Sequence, residues 1–101
     1  MNNLAIATII LEQLGGKRFI LMTGSKNFVA DANALSFHLA KNKSRAKYCW
    51  ITLDANDTYT VKFMAAADKN FNFATVAEFS DVYCDMLQSI FTDVTGLYTK
   101  F

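Results

Sequence analysis

From Ala34 to Ala40 the chain alternates without interruption. Leu35, Phe37 and Leu39 fall on one side of an extended strand, and Ser36 and His38 on the other. A period of two marks a half-buried strand. It recurs in KYCWITL (47–53) and TYTVKFM (58–64), where Cys49, Ile51 and Leu53 share one parity and Tyr59, Val61 and Phe63 the other run's apolar parity. The turn-rich DAND (54–57) between these runs makes them a β-hairpin. A slip of one residue would turn each apolar set to water, so the register is constrained. Setting Leu39 against Cys49, and Cys49 against Phe63, keeps the apolar residues inside. The same register lines up His38, Trp50 and Lys62 on the opposite face, with Tyr48 and Met64 beside them.

Toward both ends the pattern changes. LAIATIILEQL (4–14) reads as a helix that is apolar nearly all round, stopped by Gly15-Gly16. RFILMTG (18–24) reads as a first strand ended by the Thr23-Gly24-Ser25 turn signal, followed by irregular chain. KNFNF (69–73) reads as a loop whose phenylalanines return to the core. Thr75-Val76-Ala77-Glu78 has the form of a capping box. Val76, Phe79, Tyr83, Met86, Leu87, Ile90 and Val94 follow at helical spacing, and Gly96 ends the run. The expected architecture is α-β-β-β-β-α. It is an α+β fold, a four-stranded antiparallel meander sheet with an N-terminal and a C-terminal helix.

The chain of 101 residues has room for one compact domain, 1–101, and its 52% hydrophobic content is too high for a disordered segment. The apolar N-terminal run lacks a basic leader and is shorter than the roughly 20 residues a membrane span needs. A cytoplasmic protein with no membrane association is expected. Cys49 and Cys84 fit no metal or redox spacing and read as two buried thiols. The net charge of +1 hides a split, because residues 1–50 carry seven basic and two acidic side chains and residues 51–101 carry three and seven. Such asymmetry points to a partner-binding face.

Catalytic chemistry finds little support. His38 is the sole histidine, and the register sets it on the face opposite Cys49, which separates a Cys–His pair. TGSK (23–26) has the residue types of a phosphate loop without its spacing. Asp54 and Asp57 are accounted for by turn formation. No catalytic residue, metal ligand or cofactor site is assigned. Nucleic-acid binding fits better. Lys41, Lys43, Arg45 and Lys47 place a cation at every second position, and they run into Tyr48 and Trp50, with His38 and Lys62 alongside. Cations reach phosphates and exposed aromatic rings stack on unpaired bases, so single-stranded nucleic acid is the leading expected partner. The RNA-recognition-motif signature and its strand order are absent. The alternative is a protein partner. Leu4, Ile6 and Ile10 lie on a helix too apolar for one sheet face to hide, which suits a homodimer or a clamp on a foreign protein. Glu78, Asp81 and Asp85, on the outer side of the last helix, suit a basic host protein.

Taken together, QLGGKRFILMTGSKNF, ITLDANDTYTVKF and VAEFSDVYCDMLQSIFTDVTGLYTKF resemble a family of small orphan proteins encoded by bacteriophages, prophages and other mobile elements. The resemblance runs from about Leu11 to the end. Its most specific pieces are the T-G-x-K-N-F turn, the ITL…D-x-Y-x-V-x-F hairpin and the terminal T-G-L-Y-T. It implies a setting, the cytoplasm of a bacterial host. There, small non-catalytic proteins act on nucleic acid, or bind and block host machinery such as a defence nuclease. It implies no activity or site residues.

Overall fold

The alternating segments pair into an antiparallel sheet whose spatial order follows the chain. The computed structural model describes residues 4–65 and 74–99. Its strands are β1 (Lys26–Ala30), β2 (Ala34–His38), β3 (Tyr48–Leu53), β4 (Tyr59–Met64) and β5 (Thr75–Val82), arranged β1-β2-β3-β4-β5. The helices are α1 (Leu4–Leu14), α2 (Lys17–Thr23) and α3 (Leu87–Thr95), the last preceded by a 3-10 turn, Cys84–Met86. This is the expected α+β meander between terminal helices, with a fifth strand.

One face of the sheet carries the core. α1 buries Ala7, Ile10 and Leu14, and α3 buries Leu87, Phe91 and Thr95, each set at the spacing that one helical stripe requires. They close over Leu35, Phe37, Cys49, Ile51, Val61 and Phe63. Four fully buried phenylalanines, Phe19, Phe37, Phe63 and Phe91, form its centre. Phe19 meets Phe37 edge-on at 5.5 Å and Phe91 at 4.9 Å between ring centroids, the arrangement that the ring quadrupoles favour.

Three segments depart from the sequence expectation. RFILMTG is not a strand. It forms α2, which buries Phe19 and Thr23 four positions apart and leaves Leu21 74% exposed. The four-residue apolar run Phe19 to Met22 carries no decisive period, and here the preceding glycines start a second helix at once. Gly24, at φ 69°, closes it, donating its N–H to the Ile20 carbonyl. Thr23-Gly24-Ser25 is therefore a helix end, with the Thr23 hydroxyl 2.7 Å from the Phe19 carbonyl and 2.8 Å from the Ser25 hydroxyl. The first strand comes instead from KNFVA, where the pattern gives irregular chain.

TVAEFSDV is not the start of the last helix. It forms β5, and Val76, Phe79, Tyr83 and Met86, the first half of the apparent helical stripe, are all exposed. Without β5, the backbone groups on the free side of β4 would lack partners. Tertiary pairing overrides the capping-box signal, and only Leu87, Ile90 and Val94 belong to a helix. Glu78 and Asp81 consequently lie on a strand and Asp85 in the 3-10 turn, so the expected acidic helix face does not exist. Cys84 is exposed, against the expectation of two buried thiols. The KNFNF segment lies outside the described residues.

The register of β3 with β4 is the expected one, Cys49 opposite Phe63 and Trp50 opposite Lys62. That of β2 with β3 is shifted by two. Phe37 faces Cys49, Ser36 faces Trp50 and His38 faces Tyr48. A shift of two preserves which face each side chain occupies, so His38 and Cys49 remain on opposite sides.

Candidate nucleic-acid interface

The second face of the sheet receives the strand residues of opposite parity. Its central row crosses all five strands, with Val29 beside Ser36, Ser36 beside Trp50, Trp50 beside Lys62 and Lys62 beside Glu78. The next row brings His38, Tyr48 and Met64 together. No described helix packs here, and Trp50 is 42% exposed. Trp50 thus lies beside Lys62, as the strand register predicts. Its expected neighbour His38 lies one row away, in edge-to-face contact with Tyr48 at 4.7 Å and 89°.

A β-bulge shapes one side of this surface. Between Lys26 and Val29 the β1–β2 register shifts, and Asn27 takes a left-handed conformation with φ 56°. Asparagine tolerates this backbone better than most residues. The carboxamide Nδ2 of Asn27 then lies 3.3 Å from His38 Nδ1. A groove of about 250 Å³ forms among Asn27, Val29, Ser36, His38, Tyr48, Trp50 and Met64. The sequence gives no sign of Asn27 as a site residue, because the bulge that orients it is a tertiary feature.

Lys41, Lys43, Arg45 and Lys47 are exposed on the loop joining β2 to β3, around a concavity of about 380 Å³. Their backbone is tied down by one side chain. Asn42 Nδ2 donates to the carbonyls of Ala40 at 2.7 Å and Ala46 at 3.0 Å. Its Oδ1 accepts from the Ser44 N–H at 3.0 Å and from the Ser44 hydroxyl. The loop is also moored to the last turn of α3, where the Lys43 N–H donates to the Thr95 carbonyl at 3.2 Å. Lys43 runs past Gly96, close enough that an added Cβ would come within 3.1 Å of its Cδ. A cation at a helix C-terminus is favourable in the field of the aligned peptide dipoles. The Lys47 N–H donates to the Met64 carbonyl at 2.8 Å, so the loop adjoins the end of the sheet that holds Tyr48 and Met64.

The residues expected at a protein interface are scattered. Ile10 is fully buried, Ile6 is half-buried against the core and Leu4 begins α1. Ile9 is instead the residue that α1 leaves 48% exposed. Glu78, Asp81 and Asp85 are exposed along and just beyond the β5 edge, where Asp81 occupies a second bulge at φ 55°.

Burial pushes the Cys49 thiol far above its ordinary pKa, which holds it protonated and poorly nucleophilic. Asp54 serves the hairpin turn, accepting from the Thr60 hydroxyl at 2.7 Å, and Asp57 occupies the left-handed position there at φ 63°. Among the described residues, no three His, Cys, Asp or Glu side chains converge as metal ligands would, and no helix is long and apolar enough to cross a membrane. No protein-family model, curated protein or solved structure matches the chain.

Proposed function

We propose that this protein binds single-stranded nucleic acid without chemical turnover, as a phage-encoded accessory protein in the cytoplasm of a bacterial host. One observation carries the reading. Trp50 is 42% exposed on the sheet face that no described helix covers, opposite Lys62 and beside the row of His38 and Tyr48. Aromatic rings on such a face stack with unpaired bases. The cations of the 41–47 loop attract phosphates at its rim by counterion release. Backbone contacts of this kind position the strand. The test is titration with short single-stranded oligonucleotides, followed by quenching of Trp50, the sole tryptophan, at increasing salt. Salt-sensitive binding supports the reading. Undetectable binding at low salt, or binding indifferent to salt, refutes it.

A protein-directed inhibitor of a host or defence factor is the second reading, and the β5 edge favours it. Val76, Phe79, Tyr83 and Met86 are exposed there among Glu78, Asp81 and Asp85. A strand at the edge of the described sheet, bearing apolar and acidic side chains, suits an extended basic segment of a partner. Capture from nuclease-treated host lysate should then recover a stoichiometric protein that Phe79→Lys no longer retains. A homodimer through α1 would use the exposed Ile9, and sedimentation across a wide concentration range tests it.

A further inference from the structure

The sheet face around Trp50 is not flat. The indole is the shared wall of two grooves, each of about 250 Å³. The first lies toward β1, with Asn27, Ser36 and His38 in its lining. The second lies toward β4, with Thr52 and Lys62, and Met64 borders both. Pockets for drug-sized ligands occupy about 300–1,000 Å³, so each groove suits one flat ring system and nothing much larger.

We propose that Trp50 inserts between two consecutive unpaired bases, one lodging in each groove, and that only the first groove discriminates among bases. This deepens the nucleic-acid reading and rests on it. Stacked bases repeat about every 3.4 Å along a strand, so an inserted indole holds its neighbours about 7 Å apart. A single strand reaches that spacing, whereas a duplex must be unstacked and kinked.

The two grooves differ in what they present. In the first, the amide of Asn27 is paired with the imidazole of His38, whose plane is set by the edge-on contact with Tyr48. Whichever ring nitrogen carries the proton of the neutral imidazole, the pair keeps at least one donor and one acceptor for a base edge. A base that matches both is held, and one that matches neither strands buried polar groups. The second groove has neither amide nor imidazole. The exposed Lys62 offers a cation that suits the phosphate between the two bases, and the Met64 thioether adapts to any ring. Base identity therefore matters on one side of the indole and is tolerated on the other.

The full chain is titrated at low salt with 5′-phosphorylated mononucleotides and all sixteen dinucleotides, which are too short to slide along the face. The expected affinity rises about tenfold or more from mononucleotide to dinucleotide, the step one further stacked base supplies. Among dinucleotides, base changes at one position should alter affinity about fivefold or more and at the other less than twofold. Asn27→Gly, which preserves the left-handed backbone, should abolish that selectivity while leaving the far-UV spectrum and the melting temperature little changed. Mononucleotides binding as well as dinucleotides, or equal selectivity at both positions, would overturn the clamp while leaving nucleic-acid binding intact. Failure of longer oligonucleotides to bind at all would remove both.

Discussion

Trp50 and Phe63 lie on adjacent strands and opposite faces, and alanine at each should give different results. Phe63 is fully buried, with ring centroids 6.4 Å from Phe79 and 6.2 Å from Phe91. Truncating such a side chain loses its transfer free energy and leaves a cavity, costing about 3–5 kcal/mol. That is a large share of the roughly 5–15 kcal/mol available to a domain. Trp50 is 42% exposed. Fully burying a large apolar side chain contributes about 1.5–3 kcal/mol, so partial burial leaves roughly 1–2 kcal/mol to lose. Water fills the vacated space and no cavity forms. Trp50→Ala should therefore shift the urea midpoint modestly with unchanged slope, while Phe63→Ala approaches global unfolding. Far-UV circular dichroism is the suitable signal, because the variant removes the only tryptophan. A loss of about 3 kcal/mol or more for Trp50→Ala would show that the second face is covered, and nucleic-acid stacking there should be abandoned.

Three further outcomes are expected. Gly96→Ala places a β-carbon at φ 76° and 3.1 Å from Lys43 Cδ. It should cost about 1–2 kcal/mol in denaturant unfolding, and no loss would mean the α3 cap relaxes freely. Cys84 should react with a thiol reagent in the folded protein while Cys49 reacts only on unfolding, because one is exposed and the other buried; rapid labelling of both would contradict the packed core. Replacing Lys41, Lys43, Arg45 and Lys47 with glutamine should reduce the slope of log affinity against log salt by up to about 3, at roughly 0.7 per phosphate contact with single strands. An unchanged slope would place the phosphates elsewhere.

The parity of the strands and the β3–β4 pairing were legible in the sequence, and the β2–β3 pairing was not. Cys49, Ile51, Val61 and Phe63 announce which face is buried, and Trp50 must then point the other way. Parity cannot separate Leu39 from Phe37 as the partner of Cys49, since both keep the apolar set inside. The choice falls to the geometry of the 39–47 loop, which depends on Asn42 and on its mooring to Thr95. RFILMT carries strand-like composition, yet adjacent glycines and a place for Phe19 in the core make it helical. VAEFSDV carries helical spacing, yet the open edge of β4 recruits it as a strand. Both errors are local patterns overruled by distant partners. Of the candidate site, the basic loop, Tyr48 and Trp50 follow from the chain itself. The groove does not, because a bulge brings Asn27 to His38.

The Asn42 knot in the basic loop has a thermodynamic consequence. Fixing a residue's backbone costs about 1–2 kcal/mol of conformational entropy, and in this loop that cost is met during folding. On the proposed function, a nucleic-acid strand bound at Lys41, Lys43, Arg45 and Lys47 would have only their side chains left to immobilise, at about 0.5–1.5 kcal/mol each. The loop backbone is a preorganised frame from which the four cationic side chains project. Releasing the knot with Asn42→Ala would convert a binding problem of rotamers into one of chain ordering.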